Sequence, residues 1–322
     1  MMRAMRAHTL AAILFVVVGC GKEPGVMGDD DGPADAPNNT MADAYVSPPG
    51  YTKLIGRTWS IPAGGHDIYK CVRVTVPTEM YITDIVAQAP LGTHHTVLSI
   101  AAGNAAGPDG EEDCSVSTIG RPMLYASGVG TDPFSFPTGV GVKVAAGTQV
   151  HLNLHLYNAG DDPLANESAI WVKSQPTPTP TIAEMVFAGK IAFSVSPGTH
   201  DIIGGCTANQ DFNLFAVWPH MHKLAVHSKF EVTHNPGTAN QSVQVVWDAP
   251  YDFNDQKYYP QTPEVLVKAG DQIRVTCSYN NTTTGSVTFG DSSDKEMCFT
   301  GMYRYPSQNA SVTQCTDIPN AF

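Results

Sequence analysis

Two separated groups of side chains in this 322-residue chain offer ligands for soft metal ions. They are His94, His95 and His155 in the first half, and His220, His222 and Met297 in the second. Imidazole binds copper, zinc, iron or nickel, whereas a thioether selects copper, and Cu(I) in particular. We therefore expect two copper ions that cycle between Cu(I) and Cu(II), one held by nitrogen alone and one with a sulfur ligand.

The run 150–157 alternates apolar and polar residues, which predicts a β-strand with two different faces. Four aliphatic side chains share one face, and His151, Asn153, His155 and Tyr157 share the other. A face with two imidazoles, an amide and a phenol either lines a polar site or is exposed to solvent. The pattern alone leaves both interpretations open.

The remaining candidate ligands differ in how strongly their spacing indicates a metal site. His94 and His95 are adjacent, so they can bind one ion only where a strand ends or twists. His220 and His222 are two residues apart and project from one strand face, and the neighbouring Pro219 suggests an edge strand or a strand end. Met297 alone would be read as core filler, because methionine fills irregular gaps in cores.

The elements that must position these residues are short alternating runs separated by Gly, Pro and Asn, without a convincing amphipathic helix. This pattern predicts an all-β protein built of sandwiches. The proline-rich run 173–181 divides the folded part into two domains, 51–177 and 178–322. A net charge of −12 argues against a nucleic-acid partner.

The N-terminus predicts export. Arg3 and Arg6 precede an apolar run over 10–18 that is too short to span a bilayer, followed by Cys20 in a lipobox-like sequence. We expect a signal peptide over 1–19 and a lipidated flexible tether over 20–50. The protein would then be anchored in the bacterial cell envelope, at the outer membrane or cell surface, through Cys20 only. We expect a monomer.

Cysteine content agrees with an exported protein. Of the seven cysteines, six remain after Cys20 is set aside. An even number in an oxidising compartment predicts three disulfides, for which the sequence alone allows fifteen pairings.

Five short motifs, taken in order, resemble the copper type II, ascorbate-dependent monooxygenases. They are Tyr69-Lys-Cys71, His94-His95-Thr96, Leu152-Asn-Leu-His155, His220-Met-His222 and Ser293-Asp-Lys-Glu-Met297-Cys298. The resemblance implies two antiparallel jelly-roll β-sandwich domains that flank a cleft. It also implies an oxidoreductase that hydroxylates a substrate C–H bond with O2 and ascorbate or a similar one-electron reductant.

The resemblance assigns roles by position. His94, His95 and His155 would hold an electron-transfer copper, and His220, His222 and Met297 an O2-activating copper across a solvent gap. Tyr69 is a candidate catalytic residue in the cleft, and Asn153 a candidate for lining the electron route. The implied disulfides are Cys71–Cys114, Cys206–Cys315 and Cys277–Cys298.

The resemblance does not extend to the substrate. Peptidylglycine-hydroxylating members hold a substrate carboxylate with an arginine where this chain has Trp218, and with polar residues where it has Phe299 and Gly301. A small-molecule or peptide substrate without that carboxylate is therefore expected. Two alternatives remain: a non-catalytic envelope lipoprotein that binds or delivers copper, and an adhesion or carbohydrate-binding module with incidental histidines.

Overall fold

The computed structural model describes residues 45–101, 106–115, 122–128, 132–310 and 313–316. The predicted signal peptide, the lipidation site Cys20 and most of the tether lie outside these ranges. The described residues form one compact unit. Within the described ranges, no helix is long and apolar enough to cross a membrane.

The described residues form 22 β-strands and no α-helix, which confirms the all-β prediction. In chain order they are β1 (Thr52–Ile61), β2 (Ile68–Thr75), β3 (Met80–Gln88), β4 (Thr93–Ile100), β5 (Gly110–Asp113), β6 (Met123–Ser127), β7 (Phe134–Ser135), β8 (Val140–Val144), β9 (Gln149–Leu156), β10 (Leu164–Gln175), β11 (Thr181–Ile182), β12 (Glu184–Lys190), β13 (Ser194–Val195), β14 (Gly198–Thr207), β15 (Phe212–Met221), β16 (Ala225–His234), β17 (Ser242–Pro250), β18 (Tyr259–Val267), β19 (Gln272–Asn281), β20 (Val287–Thr288), β21 (Cys298–Tyr305) and β22 (Cys315–Thr316).

Two sheets make up the first half. One has the order β1-β10-β3-β8-β11, with β7 beside β3, and the other has the order β5-β2-β9-β4-β6. The aliphatic residues of β9, namely Val150, Leu152, Leu154 and Leu156, are fully buried in the core between these sheets. Period-2 alternation therefore turns the polar side chains of β9 to the outer face of its sheet.

Three sheets make up the second half, with the orders β18-β15-β21-β12-β22, β14-β19-β16-β17 and β13-β20. Neighbouring strands are antiparallel except for the short pairs β8–β11 and β12–β22. Three disulfides join Cys71 to Cys114, Cys206 to Cys315 and Cys277 to Cys298, as the resemblance implied.

The sheet that contains β15 is buried on both faces. Alternate residues such as Val217 and Met302 pack into the core of the second half, whereas Phe187, Trp218 and Phe299 belong to the core of the first half. One apolar cluster therefore runs from the first half onto this face. The second ligand group lies on the same face, because His220 and Trp218 are two residues apart on β15.

Candidate copper centre

The polar face of β9 is buried and is not a solvent-exposed face. His151, Asn153 and His155 are at most 2% exposed. The strand register places Tyr69 of β2 and His95 of β4 on either side of His155, so the three rings form one row across the sheet. The row lies on the face of the sheet that contacts the second half, where His95 meets His220.

A β-bulge brings the adjacent histidines together. The pairing of β4 with β9 shifts register between Thr93 and His95, which leaves His94 as an extra residue. The Nδ1 atoms of His94 and His95 lie 3.1 Å apart, and those of His95 and His155 lie 3.4 Å apart. The sequence indicated that a local departure from regular strand geometry was needed, and the bulge provides it.

These distances suit one shared metal ion. Metal–imidazole bonds of about 2.0–2.1 Å place two ligand nitrogens about 2.9–3.6 Å apart when the angle at the metal is about 90–120°. Ligand atoms of His94, His95 and His155 all lie within 4.8 Å of one another. The residues therefore fit a three-nitrogen site.

Asp67 orients one of these ligands. The His155 Nε2 atom lies 2.7 Å from Asp67 Oδ1, so an Nε2–H donor would leave Nδ1 free to bind a metal. Asp67 was not among the sequence-based candidates. Its position two residues before Tyr69 carries no recognisable spacing signal, because the contact joins residues 88 apart in the chain.

The second ligand group has the opposite tautomer arrangement. His220 Nδ1 lies 2.8 Å from Gln256 Oε1, and His222 Nδ1 lies 3.0 Å from the carbonyl oxygen of Lys295. Each Nδ1–H donates to an acceptor, which leaves Nε2 as the metal-binding atom in both rings. Gln256 was also missed from the sequence, since nothing in its surroundings distinguishes it from any other loop amide.

Met297 directly precedes β21 and is 8% exposed. The Cys277–Cys298 disulfide anchors the next residue, and the hydroxyl of Tyr279 donates to the carbonyl oxygen of Met297 at 2.6 Å. The backbone that carries the thioether is therefore held from two sides. Met297 lines the same cavity as His220 and His222.

Burial keeps the imidazoles neutral. Desolvation lowers the pKa of His94 and of His220 to about 3 and that of His222 to about 4, and it lowers the pKa of His95 and His155 as well. A neutral imidazole has a lone pair to give to a metal, so all five rings can act as ligands at neutral pH.

One cavity of ≈ 50 Å³ joins the two groups. Its candidate ligands are His95, His220, His222 and Met297. Six of the other lining residues are apolar or aromatic (Val97, Met123, Ala126, Phe187, Trp218 and Phe299), and four carry polar groups (Tyr69, Asn153, Asp291 and Thr313). A space of this size admits a few water molecules or a diatomic gas.

The two ligand groups are closer than the expected solvent gap. The rings of His95 and His220 meet edge to face with centroids 5.9 Å apart. Phe253 packs against His94 at 4.4 Å and against His222 at 6.1 Å between centroids. The sheet of β15 packs directly onto the first half, which explains why these rings are in contact.

The other polar candidates have structural partners. Tyr69 stacks on His155 with centroids 4.6 Å apart, and burial raises the pKa of its buried hydroxyl. Asn153 donates to Cys71 Sγ at 3.2 Å and lines the cavity. His151 lies near Cys71 and Glu112, but the Cys71 sulfur is in a disulfide and cannot serve as a thiolate ligand.

Comparison with known sequences identifies a similar family. Residues 182–320 match the family described as copper type II ascorbate-dependent monooxygenase, C-terminal domain. The second half of the chain is therefore similar to the C-terminal domain of this family. The match spans β12 to β22 and includes His220, His222 and Met297.

Individual relatives are distant. Human putative DBH-like monooxygenase protein 2 is 28% identical over 250 residues, which covers 71% of this chain and 50% of that protein. Human DBH-like monooxygenase protein 1 is 23% identical over 219 residues, or 62% of this chain and 35% of that protein. The chain thus spans about half the length of the first relative and about a third of the second.

Among solved structures, the major capsid protein P2 of bacteriophage PM2 aligns with a TM-score of 0.34 at 10% identity, over 83% of this chain and 100% of that chain.

Proposed function

We propose that this protein is a copper-dependent monooxygenase that hydroxylates a substrate C–H bond with O2 and an ascorbate-type reductant. The observation that carries the proposal is the convergence of two unlike ligand groups on one apolar cavity. His94, His95 and His155 would hold the electron-transfer ion, and His220 and His222 with Met297 the O2-activating ion. Bound copper would supply one-electron redox chemistry and O2 activation, for which a thioether favours Cu(I).

The chain's own residues prepare this chemistry by orientation. Gln256 and the Lys295 carbonyl fix the two rings of the second group with Nε2 free, and the bulge at His94 gathers three Nδ1 atoms. Trp218 stacks on the His220 ring with centroids 4.9 Å apart and an interplanar angle of 11°. These contacts fix the ligands before a metal binds, which reduces the ordering cost of binding.

The cavity walls indicate the kind of substrate. Phe187 stacks on Phe299 at 5.1 Å and on Trp218 at 6.3 Å between centroids, so three aromatic rings form one wall beside His220. No lysine or arginine is among the described residues that line this cavity. A substrate carboxylate would have no cationic partner here, so we propose an apolar small-molecule or peptide substrate that is not a glycine-extended peptide.

The finer architecture is part of the same proposal. We take 51–177 and 178–322 as two jelly-roll domains, each carrying one copper. We further propose a monomeric lipoprotein, anchored at the outer membrane or cell surface through Cys20. Radiolabelled palmitate incorporation into the expressed protein, absent in Cys20→Ala, tests the anchor.

The decisive experiment measures O2 consumption by copper-loaded protein with ascorbate and a host extract, followed by untargeted detection of a hydroxylated product. Consumption that requires copper and yields a stoichiometric product supports the monooxygenase. Two tightly bound coppers without any coupled product would instead support the copper-delivery alternative. Failure to bind copper tightly would refute both and would support the adhesion or carbohydrate-binding module.

A further inference from the structure

We propose that Asp67 is a positioning residue that links the two ligand groups mechanically. Its carboxylate contacts His155 of the first group and, at the same time, the segment 291–297 that leads to Met297 of the second. The inference rests on the proposed function for its chemical meaning, but it concerns a contact that does not depend on bound copper.

Three hydrogen bonds converge on this carboxylate. Asp67 Oδ1 lies 2.7 Å from His155 Nε2 and accepts from the Ser293 hydroxyl at 3.0 Å, and Oδ2 accepts from the Ser292 hydroxyl at 3.1 Å. Ser292 and Ser293 lie 225 and 226 residues after Asp67 in the chain. The bonds therefore join the two halves of the compact unit.

The segment beyond the serines acts on the second ligand group. The carbonyl oxygen of Lys295 accepts from His222 Nδ1, and the Glu296 carboxylate accepts from the His222 backbone amide at 3.0 Å. Met297 follows directly. A displacement of Ser292 and Ser293 would therefore change the orientation of the His222 ring, through the Lys295 carbonyl, and the position of the Met297 thioether.

The backbone of Asp67 supports a specific role. Its φ is 49°, in the left-handed region that residues other than glycine seldom adopt. Such a conformation costs free energy and persists where surrounding contacts determine it, often at functional sites. Aspartate and asparagine tolerate this region better than most residues, so Asp67→Asn keeps the backbone geometry while it removes the charge and one acceptor oxygen.

Two variants separate the two arms of the link. Asp67→Asn weakens both arms, whereas Ser292→Ala/Ser293→Ala removes the arm to the segment and leaves the contact with His155. Asp84→Asn is the matched control, because Asp84 likewise accepts from two hydroxyls, those of Thr83 at 2.8 Å and Ser135 at 2.6 Å, in the first half.

The first readout is hydrogen–deuterium exchange of the full-length apoprotein. We expect amide exchange in 291–297 to be about fivefold faster or more in both variants, as loss of a hydrogen bond of ordinary strength implies, and unchanged in Asp84→Asn. The second readout is Cu(I) affinity by competition with a chelator. Asp67→Asn should weaken the three-histidine site about tenfold or more, and the double serine variant should leave that site within twofold of the parent.

The outcomes separate the link from the proposed function. Exchange in 291–297 that stays at the parental rate in both variants, or rises equally in Asp84→Asn, overturns the link whatever the copper data show. Parent protein that binds no copper refutes the proposed function, while the exchange result still decides whether Asp67 holds the segment.

Discussion

Gly128→Ala tests whether a contact from the first half holds a ligand of the second. A Cβ added at Gly128 would lie 2.5 Å from Gln256 Cβ and 3.1 Å from its Cγ and Cδ. Relief to ordinary van der Waals distance requires a shift of about 1 Å, which would stretch the 2.8 Å bond between Gln256 Oε1 and His220 Nδ1 beyond hydrogen-bond range. Overpacking of this kind costs about 1–3 kcal/mol of unfolding free energy.

The same substitution should also weaken metal binding by the second ligand group. Loss of a partner that orients a metal-binding histidine lowers metal affinity about 10- to 100-fold. Competition titration with a Cu(I) chelator should therefore show one weakened site, with the three-histidine site unchanged. Gly285→Ala is the control, because no atom lies within 4 Å of the added Cβ. Parental affinity at both sites in Gly128→Ala would refute the role given to Gln256.

Three further outcomes follow from the site. Met297→Leu, close in volume, should cost less than about 1.5 kcal/mol of unfolding free energy but remove most turnover and weaken Cu(I) binding at the second group; full activity would show that sulfur has no role. Because burial holds the folded pKa of His220 at about 3 and of His222 at about 4, both below the ordinary 6.5, the unfolded state takes up protons first as pH falls. The stabilisation is therefore complete well above pH about 6.5 and declines by about 2 kcal/mol per histidine by pH about 5. Urea titrations of the apoprotein should show a decline that is smaller by about 2 kcal/mol in His220→Gln, and an equal decline in parent and variant would contradict this reasoning. A glycine-extended peptide should not be hydroxylated efficiently in the presence of copper and ascorbate, and rapid turnover of such a peptide would contradict the reading of Trp218.

The alternation of residues was the most reliable guide in the sequence. It placed the aliphatic side chains of β9 on one face and His155 on the other, and it left open whether that second face is exposed; the structure buries both faces. Spacing also indicated that adjacent His94 and His95 need an irregular strand, which the bulge supplies. These inferences succeeded because side-chain direction along a strand is a local property of the backbone.

The partners that orient the ligands were not predictable in this way. Asp67 and Gln256 are single polar residues in loops, and each gains its role only from a contact with a residue distant in the chain. The disulfide pairing was equally open on spacing alone and came from the family resemblance. Local pattern thus identifies which face carries the ligands, whereas tertiary contacts decide what holds each ligand in place.

The nearness of the two ligand groups has a cause in the same alternation. On β15, β12 and β21 the residues that face the first half include Trp218, Phe187 and Phe299, which are 2%, 8% and 2% exposed. To separate the groups by solvent, these rings would have to leave the apolar cluster, at about 1.5–3 kcal/mol each, or roughly 5–9 kcal/mol for the three. A substrate that enters between the groups must restore this burial with apolar surface of its own. A carboxylate would add a desolvation cost without a cationic partner among the described lining residues, so we expect the proposed substrate to present apolar surface here and not a carboxylate.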